Sequence, residues 1–260
     1  VLTYNGETYN YRELHKSLSP FWPFRTHSDT EAILAAYEKY GDECVTHLRG
    51  MFAFGLVDQK KRRLFAARDR FGIKPFYYLI AGDVFYFASE AKALLPFMPQ
   101  IETDKNCLAE YFTFQYSTGE STLFSGVKKL LPAHTLTIEN GKVSVRRYWD
   151  VTYHIDFYHA PKYYEERLRE LFHDSVEYHL RSDVPVASYV SGGVDSSLIS
   201  LLANEHSGDQ FAGLFHGRFT DYPGYDESNY AQLIADKIKK PLHIATMTSA
   251  DFEENISDII

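Results

Sequence analysis

Seven consecutive residues, Ser191-Gly192-Gly193-Val194-Asp195-Ser196-Ser197, have the make-up of a polyphosphate site. They follow an apolar run, Val184 to Val190, that reads as a buried strand, and lead into a helix-period run, Ser196 to Glu205. A strand, a glycine turn and a helix in succession gather backbone N–H groups and the positive end of a helix dipole at the carboxyl edge of a sheet, where an anion is held. Gly192 and Gly193 keep a Cβ away from phosphate oxygens, and the hydroxyls of Ser191, Ser196 and Ser197 add donors. A carboxylate beside a polyphosphate requires a cation between them, so Asp195 is assigned to a Mg²⁺ bridging the pyrophosphate oxygens. No lysine stands where a Walker loop needs one, which suits a β,γ-pyrophosphate held as leaving group and attack on the α-phosphorus. The plainer alternative is a serine-capped Gly-Gly turn that starts a helix, and the full string after a strand weighs against it.

A second candidate lies at the start of the chain. Asn5-Gly6-Glu7 before Tyr9-Asn10-Tyr11-Arg12-Glu13-Leu14 reads as a strand end, a turn and a helix start, so an amide side chain and a glycine N–H converge as an oxyanion-hole pair. Asn-Gly can equally just turn the chain. Asp29 stands at a helix start, where a carboxylate is stabilised by the dipole, and Ser28 or Asp29 can cap that helix. Asp226 and Glu227 look like an acidic pair but fit the N-terminus of the next helix better, as a cap.

Two kinds of segment position these residues. Up to residue 150 short helices (Tyr11 to Leu18, Thr30 to Tyr40, Asn106 to Phe112) mix with hairpins, an α+β pattern with antiparallel pairing. The paired strands are Met51 to Val57 with Arg63 to Ala67, and Pro75 to Leu79 with Val84 to Ala88; a further hairpin turns at Asn140-Gly141. After a Tyr-, His- and Asp-rich stretch closing at Pro161 the pattern changes, giving a boundary between domains 1–150 and 162–260. Leu168, Leu171, Phe172 and Val176 line one face of a helix that runs to about Leu180. Strands Val184 to Val190, Phe211 to Phe219 and Leu242 to Thr248 then alternate with helices Ser196 to Glu205, Glu227 to Ile238 and Asp251 to Ile260, predicting a parallel α/β sheet.

At 260 residues, 45% hydrophobic and 24% charged, the chain is a globular protein with room for two cores. A net charge of -8 leaves no basic surplus for nucleic acid, and no apolar run reaches the roughly 18 residues of a membrane span. Two cysteines, Cys44 and Cys107, are too few for a disulfide framework and fit a reducing cytoplasm. Residue 1 is valine, and the last residues lie inside a predicted helix, which suggests a chain cut at both ends and inactive by itself.

The loop resembles that of the PP-loop ATP pyrophosphatases. The string YNGETYNYREL, with His27-Ser28-Asp29-Thr30-Glu31, resembles the glutaminase domain of the glutamine-hydrolysing, class B asparagine synthetases. So do Leu48 to Phe54, Arg68 to Pro75, Phe87 to Leu94 and Arg147 to Asp150, so the likeness covers most of the chain. It implies an Ntn-hydrolase-type glutaminase fold lacking its first strands, then a truncated Rossmann-like PP-loop domain. It implies Asn5 and Gly6 as the oxyanion hole, Glu7 and Asp29 at the α-amino end of glutamine, and the Arg68 to Pro75 run as structural. It places Tyr189 and the backbone near Gly217 against the nucleotide, with ATP and Mg²⁺ as cofactors. The implied reaction hydrolyses glutamine, passes ammonia between the domains, adenylates aspartate and yields asparagine, AMP and pyrophosphate. Its nucleophile, an N-terminal cysteine, is not a residue of this sequence, and neither Cys44 nor Cys107 replaces it. The partners are small molecules, with a homodimer left open. Other PP-loop amidotransferases, such as β-lactam synthetase-like or polysaccharide- and peptide-tailoring enzymes, and a non-catalytic nucleotide-binding relative share parts of this pattern.

Overall fold

The computed structural model describes residues 1–221 and 224–259 and divides into two compact units, Val1–His154 and Ile155–Ile260. In the first, the chain runs β1 (Leu2–Thr8), α1 (Tyr11–Leu18), α2 (Asp29–Tyr40), α3 (Cys44–His47), β2 (Gly50–Asp58), β3 (Arg63–Arg68), β4 (Tyr77–Ala81), β5 (Val84–Ala88), α4 (Lys105–Phe114), β6 (Lys128–Lys129), β7 (His134–Glu139) and β8 (Lys142–Arg147). An antiparallel sheet in the order β1-β2-β3-β7-β8 faces a second one, β5-β4-β6. Strand alternation divides the larger sheet's contacts. Phe52, Phe54 and Phe65 point to one face and bury against Leu14, Leu18, Ile33 and Ala36 of α1 and α2. Ala53, Ala66 and Leu136 point to the other face and meet Tyr78 of the smaller sheet and Phe76 just ahead of β4. Each fully buried phenylalanine contributes about 1.5–3 kcal/mol.

The residues after β3 form a lock rather than a reactive site. Buried Asp69 accepts hydrogen bonds from the amides of Phe52, Phe71, Ile73 and Lys74 at 3.0–3.2 Å. Arg68 spends its guanidinium on the carbonyls of Lys74, Leu130 and Gly72 at 2.7–2.8 Å. Every one of these partners is main chain, so the run fixes the backbone beneath the sheet.

Glu31, in the first turn of α2, ties down the loop that precedes it. Its carboxylate accepts from Trp22 Nε1, the amides of Arg25 and Thr26, and the Thr26 hydroxyl, at 2.6–3.2 Å. The Thr26 hydroxyl first, then the Arg25 amide, hold its carboxyl down from 4.5 to about 2. Because the folded-state value is depressed, this stabilisation is complete above the ordinary carboxyl range and disappears as pH falls from about 4.5 towards 2. Hydrogen exchange at the Thr26 amide is therefore expected to lose protection across that acid window, and Glu31→Gln should abolish the pH step. An unchanged step in the variant would assign it to another group.

The second unit runs α5 (Pro161–His179), β9 (Val186–Tyr189), α6 (Val194–Ser207), β10 (Phe211–Phe219), α7 (Ser228–Ile238), β11 (Leu242–Met247) and α8 (Ser249–Ile259). The expected end of α8, Ile260, lies outside the described residues. The three strands are parallel, in the order β11-β10-β9. The core joins Val176, Val190, Leu202, Phe211, Leu214, Ala231 and Ala235.

Two expectations need correction. Asn5-Gly6-Glu7 does not turn the chain but lies within β1, because β1 pairs with β2 along its whole length, from Leu2↔Leu56 to Thr8↔Gly50. The run Val184 to Val190 is not a buried strand: β9 is an edge strand whose Tyr189 is 85% exposed, Val184 ahead of it is 70% exposed, and only Val190, after it, enters the core. The helix expected to carry Leu168, Leu171, Phe172 and Val176 is α5; of these four Val176 is buried and the other three are exposed. Among the described residues, no helix is long and apolar enough to cross a membrane.

Candidate functional site

The two candidate sites fall in different units. In the first, β1 alternation sends Asn5 towards the smaller sheet and Tyr4 and Thr8 towards the helices. Asn5 Nδ2 donates to Ser89 Oγ at 3.0 Å, across a small cleft of about 100 Å³ that Phe76 and Phe87 also line. An amide carries two N–H donors, so one remains after Ser89 is served. Gly6 has φ +155°, and a Cβ there would run into the Met51 carbonyl and lie 2.7 Å from Phe52 Cα. Its glycine is a requirement of strand approach. Glu7, the next residue, is exposed.

Ser28, not Asp29, caps α2, its hydroxyl accepting from the Thr30 amide at 3.2 Å. Asp29 turns instead to β1: Oδ2 accepts from the Tyr4 hydroxyl at 2.8 Å and from the Thr8 amide at 2.9 Å. Burial above all, with the Asp29 charge adding to it, pushes the Tyr4 phenol well above its ordinary range. Thus Asp29 is drawn to the end of β1 at Thr8, while no hydrogen bond joins it to Asn5.

In the second unit the loop between β9 and α6 sits at the carboxyl edge of the parallel sheet, where ligands of such sheets bind. Ser191 Oγ accepts from the Gly193 amide at 3.2 Å and meets Ser196 Oγ at 3.0 Å. Ser196 Oγ in turn accepts from the Ser191 amide and donates to the Gly193 carbonyl, both at 3.2 Å. These two hydroxyls hold the loop in shape. Asp195 and Ser197, by contrast, make no side-chain hydrogen bond among the described residues, and Asp195 is exposed.

The two glycines differ. Gly192, at φ +94°, abuts α7: a Cβ would lie 2.6 Å from Tyr230 Cβ and 3.2 Å from the Glu227 carbonyl. At Gly193 a Cβ would meet only Ser191 Oγ, at 3.3 Å, so this side of the loop is open. Gly193 is the N-cap of α6 and no side chain caps the helix. The expected cap is met only in part: Glu227 is the N-cap of α7 without a side-chain cap bond, while Asp226, one residue earlier, accepts from the Ser228 amide at 2.9 Å, and the hydroxyl and amide of Ser228 hold its carboxyl below the usual range.

Tyr189 holds an exposed ring tilted over Phe215 at 6.2 Å between centroids, and Gly217 lies two residues further along β10. Neither is joined to the loop by a hydrogen bond.

Four contacts were not foreseen from sequence: Ser89 on Asn5, Tyr4 and Thr8 on Asp29, and buried His216. His216 Nδ1 donates to the Val190 carbonyl at 2.8 Å, and its buried Nε2 has no partner among the described residues. The only sequence signal for Tyr4 and Thr8 was strand parity, which places both on the helix-facing side of β1.

The first unit thus offers the Asn5 amide at a small cleft, and the second an open helix terminus at the carboxyl edge of a parallel sheet. Residues 1–149 match the glutamine amidotransferase domain family and residues 167–260 match the asparagine synthase family. The chain belongs to the glutamine amidotransferase domain family, its first unit being followed by a match to the asparagine synthase family. It is 38% identical to asparagine synthetase [glutamine-hydrolyzing] 1 of Bacillus subtilis over 100% of this chain and 39% of that protein. To asparagine synthetase 3 of the same organism it is 40% identical, over 87% of this chain and 37% of the relative. A putative asparagine synthetase 2 of Methanocaldococcus jannaschii is 34% identical, over 98% and 50%. The chain thus spans half or less of the length of these relatives.

Proposed function

We propose that the full-length protein is a glutamine-dependent asparagine synthetase, which hydrolyses glutamine in the first unit and activates the aspartate side-chain carboxylate with MgATP in the second. The observation that carries this reading is the start of α6: a helix terminus without a side-chain cap, open space beside Gly193 and an exposed Asp195 that makes no side-chain hydrogen bond among the described residues. Those features fit a magnesium-bound polyphosphate, since free N–H groups and the dipole suit the anion and Asp195 suits the cation. When bound, MgATP supplies an electrophilic α-phosphorus and a pyrophosphate leaving group. The chain's own part is to grip the phosphates through the Gly193 side of the loop and Ser197, and to hold the cation through Asp195. Ser191 and Ser196 keep the loop in shape, and the edge formed by Tyr189 and Gly217 is assigned to the adenosine.

In the first unit the remaining Asn5 Nδ2–H and the Gly6 main chain are assigned to the carbonyl oxygen of the glutamine amide. Glu7 and Asp29 are assigned to its α-amino group. Neither cysteine of this chain is assigned as the hydrolytic nucleophile. Cys44 and Cys107 are buried, and burial pushes the Cys44 thiol up to about 12, leaving almost no thiolate at neutral pH.

Product analysis of the full-length protein tests the reading. Supplied with aspartate, MgATP and glutamine or ammonia, it should form asparagine, AMP and pyrophosphate in equal amounts. Release of ADP and phosphate, or amidation of a different carboxylate in preference to aspartate, would overturn it.

A further inference from the structure

Asp29 is held by one oxygen only. Oδ2 takes both the Tyr4 hydroxyl and the Thr8 amide, and among the described residues Oδ1 accepts no hydrogen bond. Donor arithmetic orders the cluster. An ionised carboxylate only accepts, so the Tyr4 O–H is committed to Asp29. The 3.1 Å contact between the Tyr4 and Thr8 hydroxyls must then have Thr8 as donor. The chain Thr8 O–H to Tyr4 O–H to Asp29 Oδ2 is therefore polarised in one direction, which strengthens its last bond. Both supports come from one strand, β1, which also carries Asn5, Gly6 and Glu7. The ring of Tyr4 is anchored against the core between the larger sheet and α1 and α2, so its hydroxyl is a rigid support.

We propose that Tyr4, backed by Thr8, is a positioning residue that fixes the Asp29 carboxylate so that Oδ1 is presented to the α-ammonium group of glutamine, making this clamp a determinant of selectivity for α-amino substrates. The inference rests on the reading of Asp29 as a glutamine ligand. Without the phenol, the carboxylate keeps only the Thr8 amide and can rotate about its χ2 torsion, which is broad. The free oxygen is then no longer held in place for an ammonium group, and part of the binding energy is spent on ordering it.

The test is Tyr4→Phe in the full-length protein, with rates normalised to the ammonia-dependent rate of the same preparation. The KM for glutamine should rise about tenfold, the scale of one hydrogen bond to a charged group, with kcat changed less than about twofold. Preference for glutamine over 4-carbamoylbutanoate, which lacks the α-amino group, should fall by the same factor. A general loss of structure would not change that preference. An unchanged KM and preference in an otherwise active variant would overturn the inference while leaving the proposed function standing. Absence of glutamine hydrolysis by the unmodified protein would overturn both. If Tyr4→Phe does not fold, Thr8→Val carries the test: it removes the donor behind the phenol, and the KM should rise about threefold. No rise in that variant would overturn the inference.

Discussion

Replacing Asp195 by alanine is expected to lower AMP and pyrophosphate formation by about 10²- to 10³-fold, the usual cost of removing one charge-stabilising group from a preorganised site. The side chain is exposed and makes no hydrogen bond among the described residues, so its removal opens no cavity and strands no partner. The structural cost is limited to a favourable first-turn charge on α6, about 0.3–1 kcal/mol. A large functional loss on a small stability loss is the signature of a ligand-facing residue. Asp195→Asn should be nearly as damaging, because an amide of the same shape carries no charge to offer a cation, and in both variants the Mg²⁺-dependent part of ATP affinity should vanish. Glutamine hydrolysis, which is assigned to the other unit, provides the internal control. Turnover within a few-fold of the unmodified protein in either variant would remove Asp195 from the site.

Local chemistry was enough to read the loop but not the surfaces around it. The run Ser191 to Ser197 reveals itself because a strand, two glycines, hydroxyls and a carboxylate occur within seven residues, all of them neighbours in space as well as in sequence. Helix α1 was legible for the same reason, with buried Leu14 and Leu18 spaced one turn apart. What escaped depends on distant partners. Whether Val184 to Val190 is buried depends on its place in the sheet order, which is not written in the segment itself. The division of labour within the loop was also hidden. Gly192 looked like a site residue because glycines approach phosphates, yet Tyr230 and Glu227, more than thirty residues later, already demand a glycine there. Likewise Asp29 could be read as a cap until the fold brought Tyr4 and Thr8 to it.

Asn5-Gly6 shows the same conflict between local and distant forces, and it yields the second large effect. As a dipeptide it favours a turn; in the fold it is straightened by pairing with β2, where Gly6 faces Phe52. The backbones approach there so closely that a Cβ on Gly6 would meet the Met51 carbonyl and Phe52 Cα, neither of which can swing aside as a side chain would. The φ of +155° adds strain that an L-residue pays in full. Gly6→Ala is therefore expected to destabilise the first unit by about 3–5 kcal/mol, lowering its melting temperature by roughly 10 °C or more. Asn5→Ala provides the contrast. It removes one hydrogen bond, to Ser89, and should cost only about 1 kcal/mol, while depriving a glutamine carbonyl of its assigned side-chain donor. Two adjacent substitutions should thus separate, one acting through the fold and the other through the chemistry. A Gly6→Ala protein that melts with the unmodified one would mean that β1 does not lie against β2 at this register, and the placement of Asn5, Glu7 and Asp29 would fall with it.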